Sequence, residues 1–267
     1  MDRVAAIIER VKETQPLVHN ITNQVVMNFT ANGLYALGAA PVMAHDRREV
    51  AEMAQNADAL VLNIGTLTEE LVEAMLIAGQ AANEKGIPVV LDPVGVGATT
   101  FRTESTKRIL EQVDIAIIRG NAGEVSQLAG IDAKVRGVDS SGEIDLKAVA
   151  KTALENLKQS VLITGKEDII AADHQYVLIN NGTSLLTKVT GTGCLLSAVV
   201  AAFLAVESST IDAATAAIAY YTIAAEQAAK QAKLPGQFQY RFLDALSYTT
   251  SQDVIERLNI TSKGEFK

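Results

Sequence analysis

A βαβ unit near residue 60 narrows this chain to one class of fold. Ala59-Leu60-Val61-Leu62-Asn63-Ile64-Gly65, apolar but for Asn63, has the signature of a strand buried on both faces. Thr68 then stands where a helix cap belongs, with Glu69 and Glu70 in the first turn, and the helical stretch runs to Lys85-Gly86. Pro88-Val89-Val90-Leu91-Asp92 is the next strand. The pattern returns with Ile115 to Ile118 and a helix from about Ala122, then with the Leu146–Leu157 helix and the strand Ser160 to Gly165. Buried strands separated by helices predict a doubly wound α/β layer, a mostly parallel sheet with helices on both faces. Ile169–Ala172 and Tyr176–Ile179 predict a hairpin turning at Asp173-His174, so antiparallel strands are added late.

The remaining segments read less sharply. Val4–Lys12 has helical periodicity, and Thr22 to Leu37 predicts a second helix stopped by Gly38. Pro41-Val42-Met43 predicts a short strand and Arg47–Gln55 a helix. Pro16 to Asn23, rich in polar amides, predicts a loop and an N-cap. An apolar helix from about Leu195, an alanine-rich one over Asp212–Gln231 and a closing one over Phe242–Leu258 complete the chain. No linker-like stretch or internal repeat divides it, so residues 1–267 are expected to form a single domain.

Composition excludes several classes of function. A net charge of −8 argues against nucleic acid, which needs clustered Lys and Arg. One cysteine, Cys194, allows neither an internal disulfide nor a multi-cysteine zinc site, and His19, His45 and His174 have no ligand spacing. Met1 to Lys12 has no signal-peptide core, and the apolar run Cys194 to Val206 is too short for a membrane span. A cytoplasmic location with no membrane partner is expected. The Asn-x-Thr sequons at Asn20, Asn28, Asn181 and Asn259 then carry no glycosylation.

Ligands of such sheets bind beyond the carboxyl ends of the strands, and the polar motifs cluster at those ends. Gly191-Thr192-Gly193 leads into a helix whose free N–H groups would form an anion hole, although a Gly-x-Gly can equally be a tight turn. It lacks the third glycine of a dinucleotide fingerprint, as does Gly95-Val96-Gly97. Cys194 sits in the first helical turn, where the dipole lowers a thiol pKa; the alternative is a small buried apolar residue. Asp92 closes one strand, and Asn121-Ala122-Gly123-Glu124 opens a helix. Glu124 can be the capping-box partner of Asn121, or it can join Asp92 around a water-shelled Mg²⁺. Arg119 follows a buried strand and suits phosphate, and Thr164-Gly165 ends another strand alike. Gly95, Gly97 and Gly142 are hinges or plain turns.

Together these motifs resemble the hydroxyethylthiazole kinases, a branch of the ribokinase-like superfamily. The resemblance covers nearly the whole chain. Its most specific parts are Leu17-Val18-His19-Asn20-Ile21-Thr22-Asn23, Asn28 to Gly33 and Pro41-Val42-Met43-Ala44. Leu91 to Ala98, Arg119 to Glu124 and Val189 to Cys194 add to it. It implies ATP-dependent phosphorylation of the primary alcohol of 4-methyl-5-(2-hydroxyethyl)thiazole, a step toward thiamine phosphate. Carried over, Met43 and Asn23 contact the thiazole and Gly191 lies beside the hydroxyl. Arg119 and Thr164 bind ATP, and Asp92 and Glu124 organise Mg²⁺. The resemblance also implies a homotrimer with sites at subunit interfaces, Asn20 to Asn23 lining the neighbour's pocket. The wider superfamily usually has Asp, as base for the substrate alcohol, where this chain has Cys194, and thiazole kinases carry either. With the anion hole and Mg²⁺ expected to provide most of the rate, Cys194 is expected to assist as a weak base or hydrogen-bond acceptor. Three other readings compete: a kinase for hydroxymethylpyrimidine or another vitamin alcohol, a non-catalytic thiazole or nucleotide sensor, and, least supported, a nicotinamide dehydrogenase.

Overall fold

The computed structural model describes residues 2–131 and 145–266, so Gly142 lies outside the described residues. Helix α1 (Asp2–Thr14) leads into strand β1 (Leu17–Ile21), helix α2 (Met27–Leu37) and the short strand β2 (Ala40–Val42). Then come α3 (Val50–Asn56), β3 (Ala59–Asn63), α4 (Glu69–Lys85), β4 (Val89–Asp92) and α5 (Thr100–Gln112). Next are β5 (Ile117–Asn121), α6 (Ala122–Leu128), α7 (Leu146–Leu157), β6 (Ser160–Thr164), β7 (Asp168–Ala172) and β8 (Gln175–Ile179). A 3₁₀ turn over Ser184–Lys188 precedes α8 (Thr192–Leu204), α9 (Thr210–Gln231), α10 (Pro235–Tyr248), α11 (Ser251–Arg257) and β9 (Ile260–Glu265).

Among the described residues the strands form one nine-stranded sheet in the order β2-β1-β3-β4-β5-β6-β7-β8-β9. It is parallel from β2 to β6 and antiparallel from β6 to β9. Side chains alternate between two cores. Val18, Val61, Val90, Ile117 and Leu162 face α1, α2 and α8 to α11. Leu60, Leu62, Leu91, Ile118 and Val161 face α3 to α7. Both faces are covered, which is why the strands read as continuous apolar runs. The expected α/β class and double winding hold.

Local signals worked where their chemistry is short-ranged. Thr68 accepts from the Leu71 N–H, and Gly38 and Gly86 end α2 and α4 at φ of 99° and 78°. Asp173 and His174, at φ of 49° and 63°, make the two-residue hairpin turn between β7 and β8. Gly95 and Gly97 are turn residues, with Val96 N–H bonded to Pro93 O and Ala98 N–H to Gly95 O.

Three expectations need correction, and two further elements were not foreseen. The Pro16–Asn23 segment is not a loop: it holds β1, a buried strand between β2 and β3. The following helix accordingly starts at Met27, not Thr22. The helix over Phe242–Leu258 is two helices, broken where Thr250 caps α11 in a capping box with Asp253. Beyond it the chain re-enters the sheet as β9, and α5, largely polar, fills the connection between β4 and β5.

Candidate active site

The strands β3, β4, β5 and β6 end side by side, and each ends on a polar residue. Asn63 pairs with Asp92 across β3 and β4, and Asn121 pairs with Thr164 across β5 and β6. The N-terminus of α8 meets this row. Gly191, at φ +91°, is its N-cap; a Cβ there would lie 2.6 Å from Val26 Cγ1. The turn is pinned from behind by Thr192, whose hydroxyl donates to Leu186 O at 2.7 Å, and by Tyr221, whose hydroxyl donates to Thr192 O at 2.6 Å. The first N–H groups of α8 have no intrahelical partner. Gly191, Thr192 and Gly193 thus form a tight turn that opens a helix, the kind of start that can receive an anion.

Asp92 is wholly buried. One of its oxygens, Oδ2, accepts from Asn63 Nδ2 at 2.7 Å and from the Ser197 hydroxyl at 2.8 Å. The other, Oδ1, is buried with no protein partner. Burial pushes the Asp92 pKa above the usual carboxylate range and Glu124 adds to this, while Arg119, Ser197 and Asn63 oppose it. Asn63 extends the network: its Oδ1 accepts from Gly65 N–H and from Asn23 Nδ2, each at 2.9 Å. Asn23 Nδ2 also reaches Cys194 Sγ at 3.4 Å. A hydrogen-bonded chain thus runs from Cys194 through Asn23 and Asn63 to Asp92 and Ser197. Gly65 permits it, since a Cβ there would sit 2.7 Å from Asn23 Nδ2.

Arg119 occupies the opposite flank. Its Nη2 donates to Thr164 Oγ1 at 2.6 Å, while its Nε is buried without a partner. The guanidinium lies against Gly193, where a Cβ would be 2.6 Å from Nη1. Arg119, Thr164, Thr192 and Gly193 line a cavity of about 710 Å³ that continues to Asn180 and Thr183. Asp168, also in its wall, accepts from Gly165 N–H at 3.0 Å. Burial raises the Asp168 pKa to about 7.

One choice left open by the sequence closes here. Helix position would lower the Cys194 thiol pKa, and the alternative is a small buried residue. Burial, reinforced by the Asp92 charge, pushes the thiol up to about 11, so it is protonated at neutral pH. Asn20 is buried with its amide on Val18 O, and Asn23 bonds Asn63 and Cys194 within its own chain. Met43 stands apart from the network, just beyond β2 at the sheet edge.

The carboxylates can be tested as a cation site on their own contacts. Glu124 closes a true capping box: its Oε2 accepts from Asn121 N–H and its Oε1 from Gly95 N–H, each at 2.9 Å. It can therefore offer a metal only remaining lone pairs, which suits contact through water. Asp92 Oδ1 offers an unused, buried acceptor. No cluster of three or more His, Cys, Asp or Glu able to hold a metal occurs among the described residues. Such a set fits a hydrated Mg²⁺ that takes its other ligands from phosphate.

Sequence reasoning missed Asn63, Ser197 and Asp168. The available signal for Asn63 was its position: it ends β3 as Asp92 ends β4.

The model of the "Hydroxyethylthiazole kinase family" matches residues 8–252. The chain is similar to a hydroxyethylthiazole kinase protein from Pyrococcus horikoshii OT3, with 40% identity, TM-score 0.90, and 99% of this chain and 100% of that one covered. A ribokinase-like superfamily protein from Enterococcus faecalis shares the fold at 12% identity, TM-score 0.65, covering 92% and 95%. So does the pyridoxal kinase from Staphylococcus aureus in complex with AMP-PCP and pyridoxal, at 16% identity, TM-score 0.63, covering 94% and 99%. No helix among the described residues is long and apolar enough to cross a membrane. A family match over nearly the whole chain, on the ribokinase-like fold, makes this protein a member of the hydroxyethylthiazole kinase family.

Proposed function

We propose that this enzyme transfers the γ-phosphoryl group of MgATP to the hydroxyethyl oxygen of 4-methyl-5-(2-hydroxyethyl)thiazole, in thiamine biosynthesis or salvage. The observation that carries the reading is that Asp92, through Ser197, and Arg119, against Gly193, both meet the first turns of α8, with Asp92 Oδ1 left unpartnered. Arg119 and Thr164 hold the nucleotide, whose phosphates enter the cavity between them and Gly193. Asp92, directly, and Glu124, through water, would hold Mg²⁺, which supplies charge neutralisation at the phosphates. The alcohol lies on the Asn23 and Met43 side, with its oxygen beside Gly191.

The alcohol oxygen attacks the γ-phosphorus as the bond to the bridging oxygen breaks, and ADP leaves. The transition state is loose, so positioning and charge stabilisation provide most of the rate and the alcohol proton leaves late. The α8 N–H groups of the Gly191–Gly193 turn meet the charge on the transferring group. Cys194, protonated near neutral pH, assists as a hydrogen-bonding group fixed by Asn23, not as a thiolate. Cys194→Ser is therefore expected to retain kcat within about tenfold, below the contribution of a working general base. Cys194→Asp, which places an ionised acceptor at the alcohol, is expected to match or exceed the wild type. A loss beyond about a hundredfold in Cys194→Ser would restore the base role.

The enzyme is proposed to be cytoplasmic, one kinase domain per chain, working as a homotrimer with its sites at subunit interfaces. The exposed apolar side chains Val25 and Tyr35, near Asn23 and on α2, support an interface there. The substrate assignment is tested by kcat/KM for the thiazole alcohol and for hydroxymethylpyrimidine at saturating MgATP. Preference for the thiazole supports the reading. Preference for the pyrimidine would keep the phosphate machinery and overturn the roles of Asn23 and Met43. Tight binding of either without turnover would make the protein a sensor.

A further inference from the structure

Two histidines outside the phosphate machinery stitch together the two segments that flank the alcohol side of the site. The edge strand β2 pairs with β1 only at Leu17–Ala40, Val18–Pro41 and His19–Val42. Beyond Val42 the chain leaves the ladder, and Met43 would be held by nothing from the sheet itself. The next residue is fastened instead. The carbonyl of Ala44 accepts from His19 Nε2 at 2.9 Å, with both residues buried. One residue on, His45 Nε2 lies 3.3 Å from both the N–H and the carbonyl oxygen of Thr22, the residue before Asn23.

His19 is an unusual occupant of its position. Its side chain is fully buried, and with Nε2 donating to Ala44, Nδ1 is a bare acceptor with no partner. An apolar residue would fill the strand without that desolvation cost. What the imidazole supplies is one directed N–H, spent on the backbone beside Met43. The nucleotide groups Arg119 and Thr164 belong to β5 and β6, beyond β3 and β4 in the sheet.

Resting on the function proposed above, we infer that His19, seconded by His45, is a positioning residue for alcohol specificity, holding the Met43 segment against the Asn23 end of β1. The inference separates alcohol from nucleotide. His19→Leu removes the N–H at similar bulk, whereas His19→Gln keeps a side-chain N–H donor. His45, only partly buried, can be replaced by Ala with little risk to folding.

The experiment is steady-state kinetics of the full-length wild type and these three variants, varying the thiazole alcohol and MgATP independently, with Tm recorded for each. His19→Leu is expected to raise KM for the alcohol about tenfold or more, and KM for MgATP less than about twofold, as displacement of a positioning segment does. His19→Gln should recover most of the loss, and His45→Ala should shift the alcohol KM in the same direction by about threefold. The inference is overturned if both KM values move together, if neither moves, or if Gln does no better than Leu. Should His19→Leu fail to fold, His45→Ala decides alone. If the wild type phosphorylates no alcohol, the function reading falls and takes this one with it. An active wild type with unshifted variants removes only the present inference.

Discussion

Replacing Asp92 with Asn is expected to lower kcat by about three orders of magnitude while leaving the fold as stable as the wild type, or more so, at pH 8. The two effects come from the same atoms. Oδ2 is occupied by Asn63 and Ser197, and an amide oxygen can take both donors, so the side chain keeps its orientation. Oδ1 has no protein partner and is the oxygen proposed to face the cation; an amide NH₂ in its place removes the charge that the site needs. For stability the sign is set by burial. A carboxyl whose folded pKa lies above its unfolded value weakens the fold as pH rises past the unfolded value. Removing that charge should raise Tm at pH 8 and change it little near pH 4. Retained kcat, or a collapse of Tm at pH 8, would contradict the assignment of Asp92.

Gly193→Ala is expected to lower kcat/KM for MgATP about a hundredfold with little loss of Tm. A Cβ at this position meets Arg119 Nη1 at 2.6 Å and Nη2 at 3.0 Å, distances at which something must move. The guanidinium yields first, since it is the far end of a long side chain, and yielding breaks its 2.6 Å bond to Thr164. The damage falls on nucleotide binding. Gly191→Ala is the contrasting case: φ +91° is a region that L-residues rarely adopt, and the new Cβ meets Val26 at 2.6 Å. That variant should lose stability as well as activity. Activity and Tm measured side by side for the pair separate the two roles. Equal Tm losses in both would mean that Gly193 serves packing only.

The parts of this fold that could be read in the chain are those whose signal is local or uniform. Strands β3, β4, β5 and β6 are buried on both faces, so burial wrote them as apolar runs. The caps Thr68, Gly38 and Gly86 and the Asp173-His174 turn follow from backbone geometry within a few residues. Strand β1 could not be read in this way, because His19 and Asn20 give it the polarity of a loop while both are buried by pairing with β2 and β3. The same held for α5, a polar helix with few buried residues, and for β9, which exists through its pairing with β8.

The site divides along the same line. Asp92, Arg119, Glu124, Thr164 and the Gly191–Gly193 turn were visible as polar residues punctuating apolar elements. Asn63 looked like one amide inside a strand and Ser197 like an interruption in an apolar helix, because what defines them is a contact with Asp92, 29 and 105 residues away. The pKa of Cys194 went the other way from the local expectation for a related reason. Helix position is written in the sequence, but the burial and the Asp92 charge that outweigh it arise only on folding.

Phosphoryl transfer to the hydroxyethyl oxygen of the thiazole can be watched by phosphorus NMR of the reaction mixture. With enzyme, MgATP and the thiazole alcohol, one new phosphate monoester is expected, coupled to the side-chain methylene protons and formed in step with ADP. ADP appearing with free inorganic phosphate and no ester, or no change in the nucleotide at all, would contradict it.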